Sequence, residues 1–216
     1  MDKIFCQFHK TVLYWYKNGE VSTMGREFEL KYAATPAKQD ALYRDFPLNW
    51  QKFAMETTYY DTASGDLGRL HWTLRRRFEN GRSVCTVKTP SPDGGRGEWE
   101  VECGNIVDAI PELCKLGAPH TLMVSAALGV REVCGARFTR QAAALEIEGA
   151  VVEIALDRGV LTGGGKELPL CEIEVELKEG SDAAAIAFAN MLAEKYGLKA
   201  EHRSKYRRAL TLATMR

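Results

Sequence analysis

Arg26-Glu27-Phe28-Glu29-Leu30-Lys31 alternates charged and apolar residues with period two, the pattern of a strand with one buried face. Glu27, Glu29 and Lys31 fall on one face; Phe28, Leu30 and Tyr32 fall on the other. Carboxylates two residues apart stand about 7 Å apart by strand rise, close enough to hold a hard divalent cation. Lys31, one step on, could meet an anion carried by that cation. Taken alone, these six residues describe an ordinary half-buried strand. Repetition along the chain gives them more weight.

Cys171 to Lys178 sets Glu172, Glu174, Glu176 and Lys178 against Ile173, Val175 and Leu177. Glu98 to Cys103 sets Glu98, Glu100 and Glu102 against Trp99, Val101 and Cys103. Leu70 to Phe78 puts Thr73, Arg75 and Arg77 opposite Trp72, Leu74 and Phe78, and Val84 to Lys88 puts Thr86 and Lys88 opposite Cys85 and Val87. Further strands are expected over Thr57–Asp61, Ala136–Gln141, Ala144–Glu148 and Ala150–Asp157, with hairpin turns at Gly81 and at residues 163–165. Helices are expected from Pro36 to Phe46 behind a Thr35 cap, from Asn105 to Leu116 with Pro111 at a kink or at the start of a short second piece, over Leu122–Leu128, and from Ser181 to Tyr196 with Gly197 as the stop. The last stretch, His202 to Leu212, is basic and reads as a solvated helix face. About eight strands joined mostly by hairpins imply an α+β protein: one antiparallel sheet or barrel with a few helices packed outside.

Composition bounds the function. The 216 residues fit one generous domain or two small ones, and 45% hydrophobic content can build a core. Lys plus Arg and Asp plus Glu number 29 each, a balance that points to no nucleic acid and no anionic membrane. Six cysteines without a CxxC pair, in mostly apolar surroundings, suit reduced thiols in a cytoplasmic protein. No stretch approaches the roughly 20 apolar residues that span a bilayer. Residues 1–23 lack clear periodicity and read as a mobile leader, leaving residues 24–216 as a single domain.

The net neutrality hides sorting by sign. Glu27, Glu29, Glu98, Glu100, Glu172 and Glu174 form an acidic group; Arg75, Arg77, Lys88 and Arg96 form a basic one. On a solvated outer sheet face these would be cross-strand salt bridges. Like charges on neighbouring strands destabilise a sheet unless a ligand offsets them. Inside a barrel of about eight strands, where one small ligand fits, carboxylates would hold cations and the Arg and Lys side chains the oxygens of a polyanion. A barrel for an apolar ligand is disfavoured by the same charges.

Several stretches match known motifs. Glu27, Glu29 and Lys31 make ExExK; Tyr59-Tyr60-Asp61-Thr62 makes YYDT; Leu74-Arg75-Arg76-Arg77 makes LRxR; and Thr86-Val87-Lys88 makes TxK. Arg96, Glu98 and Glu100 give an RxExE-like strand, Glu172 to Lys178 gives EIExELK, and Ser204-Lys205-Tyr206-Arg207-Arg208 gives SKxxR. In this order, over residues 25 to about 210, the set resembles the CYTH domain family, the triphosphate tunnel metalloenzymes.

The resemblance implies an eight-stranded antiparallel β-barrel, open as a tunnel, that binds a triphosphate-containing small molecule with Mg2+ or Mn2+. It implies metal ligation by Glu27, Glu29, Glu172 and Glu174, with Asp157, Glu98 and Glu100 as helpers. It implies phosphate contacts from Lys31, Arg75, Arg77, Lys88, Arg96, Arg140 and Lys205. Glu29, or Lys205 with a pKa lowered among cations, would assist proton transfer. The implied activity is hydrolysis of inorganic triphosphate or a related short polyphosphate or organic triphosphate. Thiamine triphosphate hydrolysis, class IV-type adenylate cyclisation and non-catalytic polyphosphate or nucleotide binding are the alternatives, and a homodimer is left open.

Overall fold

The computed structural model describes residues 28–90 and 96–215. The leader and Glu27 lie outside those residues. The chain runs β1 (Glu29–Ala33), α1 (Pro36–Asp45), β2 (Gln51–Asp61), α2 (Asp66–Arg69), β3 (Thr73–Glu79), β4 (Arg82–Pro90) and β5 (Arg96–Glu102). It continues through α3 (Ile106–Lys115), α4 (Thr121–Ala126), β6 (Arg131–Ile147), β7 (Ala150–Gly163), β8 (Lys166–Gly180), α5 (Asp182–Tyr196), β9 (Lys199–Ala200) and α6 (Lys205–Thr214).

All strands join one antiparallel sheet in the order β5-β4-β3-β2-β6-β7-β8-β1-β9, eight principal strands plus the two-residue β9. The class is α+β, as the alternation predicts. Among the described residues no backbone ladder joins β5 to β1. The strands are longer than the sequence suggests. The two short strands expected over residues 136–148 are one 17-residue strand, β6, paired with β7 from Gly135 to Ile147. Its run of alanines carries no strong period-two signal, and cross-strand pairing, with β2 as far as Ala142 and with β7 throughout, holds it extended.

The caps follow local chemistry. Thr35 accepts from the Lys38 amide, with Pro36 in the first turn, Asn105 accepts from Val107, and Ser181 from Ala183. Gly197 ends α5 at φ 58°, the left-handed region where glycine carries no steric penalty. Pro111 neither breaks nor divides α3, which is continuous over ten residues. The carbonyl that Pro111 leaves without a donor is that of Val107, an exposed residue that water can reach.

Apolar layers cover the outer face in two blocks. Leu74, Cys85, Val87 and Trp99 meet Leu67 of α2, Ile106, Ala109, Ile110 and Leu113 of α3, and Leu122 of α4. Val152, Ile154, Leu156, Ile173 and Val175 meet Leu42 of α1 and Ala185, Ala189 and Leu192 of α5. The last helix departs from the expectation that helices pack outside. α6 packs through Ala209 against Met55, Tyr59, Phe138, Leu161 and Leu170, which alternation places on the face of the charged residues. The basic tail is therefore a plug on the inner face, with Lys205 buried.

That inner face is not a solvated surface. Arg75 is only 12% exposed and Arg140 15%, while Asp157 and Glu172 are fully buried. α6 and the ion pairs of neighbouring strands shield charges that an open outer face would leave in water.

Gly159 faces Phe138 across β6 and β7. A Cβ there would stand 2.1 Å from the Arg137 carbonyl oxygen and 2.5 Å from Phe138 Cα, both backbone atoms. Gly159→Ala is expected to cost about 1–3 kcal/mol of stability through overpacking, read as a lower urea midpoint at unchanged slope.

Candidate functional site

The register brings the charges together. Glu29, Lys31 and Ala33 of β1 stand opposite Glu176, Glu174 and Glu172 of β8. Glu172, Glu174 and Glu176 stand opposite Asp157, Ala155 and Glu153 of β7. Asp157 is opposite Arg140; Phe53 on β2, opposite Arg140, leads along the same face through Thr57 and Tyr59 to Arg77 and Arg75. Thr86 and Lys88 then pair with Glu100 and Glu98.

At the centre lie Asp157, Glu172 and Glu174, all buried, with one oxygen of each within 4.8 Å of the others. Lys205, Arg140 and Arg208 hold them. Lys205 Nζ lies 2.8 Å from Asp157 Oδ2, 2.7 Å from Glu172 Oε2 and 2.5 Å from Glu174 Oε1. Arg140 donates two parallel 2.8 Å bonds to Asp157 and a third to Glu174. Their charges hold the Glu174 carboxyl far below the usual carboxylate range against the opposing effect of burial. The same carboxylates push the Lys205 pKa well above its usual value, again against burial. The expectation that Lys205 sits among cations with a lowered pKa is therefore corrected. Its nearest ionic partners are three carboxylates, and in this arrangement it is an ammonium.

The SKxxR motif has a geometric explanation. Ser204 caps α6 by accepting from the Arg207 amide, which fixes Lys205 at the first turn. Lys205 and Arg208, three residues apart, share a helix face, and both reach Glu172. Arg208 also lies 3.7 Å from Glu201. Arg208 was not among the candidate site residues, although its motif position was the available signal. Glu153 and Glu176 were missed too; Lys178 Nζ lies 2.8 Å from Glu176 and 3.9 Å from Glu153.

Across the inner face, Arg75 lies 3.6 Å from Glu98 and 3.5 Å from Glu100, and Lys88 lies 3.0 Å from Glu98. Glu98 and Glu100 thus belong to the basic wall, not to the acidic group in which sorting by sign placed them. Thr86 donates a 2.8 Å hydrogen bond to Glu100. Arg77 donates to Thr57 Oγ1 at 3.4 Å; burial, then the neighbouring Arg75 and Arg140 charges, lowers its pKa. Such a crowding of cations favours an anion. Glu29 stands 3.4 Å from Lys31, outside the trio. Arg96 is exposed at the start of β5, and Arg137 points away from the inner face to pair with Glu167.

The YYDT stretch is architectural. Asp61, buried, accepts from the amides of Thr62, Leu67 and Gly68 at 2.7, 2.9 and 3.0 Å and so organises α2 and the turn into β3. Tyr59 meets the Tyr206 ring at 5.1 Å on the inner face, while Tyr60 joins the outer core. The described cysteines are free, and burial pushes the Cys85 and Cys134 thiols up to about 12, which keeps them as inert thiols. No helix among the described residues is long and apolar enough to cross a membrane.

The donor set fits a hard cation. Three carboxylates supply oxygen ligands around one small volume, the chemistry that Mg2+ and Mn2+ select.

The site thus belongs to an α+β protein whose antiparallel sheet carries acidic and basic walls on one shielded face. The chain belongs to the CYTH domain family, whose model matches residues 25–210. It is 25% identical over 197 residues to an inorganic triphosphatase of Haemophilus influenzae, covering 88% of this chain and 56% of that protein. The chain thus spans little more than half the length of that curated relative. Among solved structures, HpAC1 from Hippeastrum, described as having a dominant triphosphatase activity, superposes with a TM-score of 0.63 at 19% identity, covering 88% of this chain and 97% of that one. The PH1819 protein of Pyrococcus horikoshii OT3 superposes with a TM-score of 0.59 at 25% identity, covering 88% and 99%.

Glu174 carries a pH signature. Its folded pKa lies below its unfolded value of about 4.3, so its contribution to stability is present above that value and is lost as pH falls through the folded one. Thermal melts of metal-free protein should decline steeply below about pH 5, and Glu174→Gln should flatten that decline. Lys205→Met, which leaves the buried carboxylates short of a cation, is expected to cost about 3–5 kcal/mol at neutral pH, read by urea unfolding.

Proposed function

We propose that this protein is a divalent-metal-dependent hydrolase of inorganic triphosphate or a closely related triphosphate compound, with residues 24–216 as the catalytic domain. The observation that carries this reading is the gathering of charge on one shielded sheet face. A buried carboxylate trio lies on it, and Arg75, Arg77 and Lys88 gather on the same face of β3 and β4.

Phosphoryl transfer demands charge neutralisation and in-line positioning more than covalent participation. In the reading proposed here, Asp157, Glu172 and Glu174 hold Mg2+ or Mn2+, with Glu29 of β1 and Glu27 contributing. The cation supplies Lewis-acid neutralisation of phosphate charge. Arg75, Arg77, Lys88, Lys31 and Arg140 bind and orient phosphate oxygens, and Arg96 meets the exposed end of a longer anion. Lys205 acts as a fixed ammonium, a hydrogen-bond donor toward phosphate oxygens rather than a base. Glu29 lies outside the trio and close to Lys31, which suits a proton acceptor at the substrate. Glu98 and Glu100 hold Arg75 and Lys88 in place. The low exposure of Arg75, Lys88 and Arg140 limits competing water and strengthens each of their contacts.

Purified protein is expected to release phosphate from tripolyphosphate with Mg2+ or Mn2+. Glu172→Gln and Arg77→Ala should each lower kcat/KM by on the order of 10²-fold. A panel of tripolyphosphate, ATP and thiamine triphosphate separates the outcomes. Cyclic AMP and pyrophosphate from ATP would reassign the activity to cyclisation. Substrate-induced thermal stabilisation without turnover of any member would leave a binding module instead.

A further inference from the structure

Gln39 is a polar residue that the catalytic reading does not use. It lies on α1, on the outer face of the sheet, and is 2% exposed. Its amide nitrogen donates to the main-chain carbonyls of Asp157 at 2.9 Å and Glu172 at 2.7 Å. Those two residues are direct cross-strand partners between β7 and β8, and their carboxylates emerge on the opposite face as two of the three members of the trio. The orientation of the amide is fixed in turn. Its oxygen accepts from Arg158 Nε at 2.9 Å, and Arg158 also donates to Asp40 at 2.7 Å and to the Pro36 carbonyl at 3.1 Å, all on or beside the first turns of α1.

We infer that Gln39 is a positioning residue for the metal-binding carboxylates, acting through the backbone of Asp157 and Glu172; this rests on the metal reading above. A side chain leaves a strand in the direction set by its own backbone. One amide that bridges the two carbonyls fixes the spacing and relative rotation of the two strands at the level where both ligands originate. Leu42, one turn further along α1, buries itself in the same outer core with no hydrogen bond to that backbone. Packing and positioning are thereby carried by different residues of one helix.

The test is Mn2+ affinity, measured by titration calorimetry on the intact protein without substrate, in wild type, Gln39→Met, Leu42→Ala and Arg158→Met. Methionine keeps the volume of Gln39 and removes its donors; Arg158 is exposed enough to be replaced without endangering the fold. Gln39→Met should lose about tenfold in Mn2+ affinity, the scale seen when groups that orient metal ligands are removed. Arg158→Met should lose less in the same direction. Leu42→Ala, despite a lower melting temperature, should stay within about twofold of wild type, as a pure packing loss would. Wild-type affinity in Gln39→Met overturns the inference. So does an equal loss in Leu42→Ala, or wild-type affinity in Arg158→Met should Gln39→Met fail to fold. Absence of Mn2+ binding by the wild type itself would instead overturn the metal reading and the inference with it.

Discussion

Asp157, Glu172 and Glu174 bring three negative charges into one small, water-poor volume, and the cations of Lys205, Arg140 and Arg208 make that tolerable. An unpaired buried charge costs several kcal/mol, and a paired one repays that cost only with good geometry. The geometry here has several contributors. β7 and β8 supply the acids in register, β6 supplies Arg140 opposite Asp157, and the capped first turn of α6 supplies Lys205. Each element arrives by a different route through the chain, so the charge cluster depends on the whole sheet being correctly paired.

The rest of the architecture can be understood as holding that enclosure. Two apolar layers fasten α3 with α4, and α1 with α5, to the outer face, so the inner face is free for charge. α6 occupies the inner face, and it can approach because β7 ends in glycine. A Cβ on Gly163 would stand 2.5 Å from the Ala209 carbonyl oxygen. At the other end of the basic wall, Asp61 gathers three amides and turns the chain into β3, which carries Arg75 and Arg77. The outer and inner faces communicate through Gln39, whose amide grips the backbone from which two of the acids project.

Much of this was legible in local pattern. Strict alternation in Glu98 to Cys103 and Cys171 to Lys178 identified strands and sorted each into an apolar and a charged face, because the side-chain period of a strand is two whatever surrounds it. The alanine-rich middle of β6 was not legible. Alanine has no strong preference to report, and only cross-strand pairing extends it. The burial of the basic tail was not legible for a related reason. Lys205 and Arg208 look like a solvated helix face until the carboxylates they meet, some 30 residues earlier in the chain, are in place.

The sequence by itself determined which side chains share a face on each strand, where the helices α1, α3 and α5 begin, and the ordered motif set that marks the family. These are consequences of backbone period and of capping within a few residues. Tertiary structure alone decided which face meets which. It set Glu98 and Glu100 beside Arg75 and Lys88, turned Arg140 inward and Arg137 outward, and wrapped Lys205 in acids. Cross-strand register and the curl of a sheet are set by the sum of distant contacts, and a charge acquires its partner, its burial and its pKa only when those contacts form.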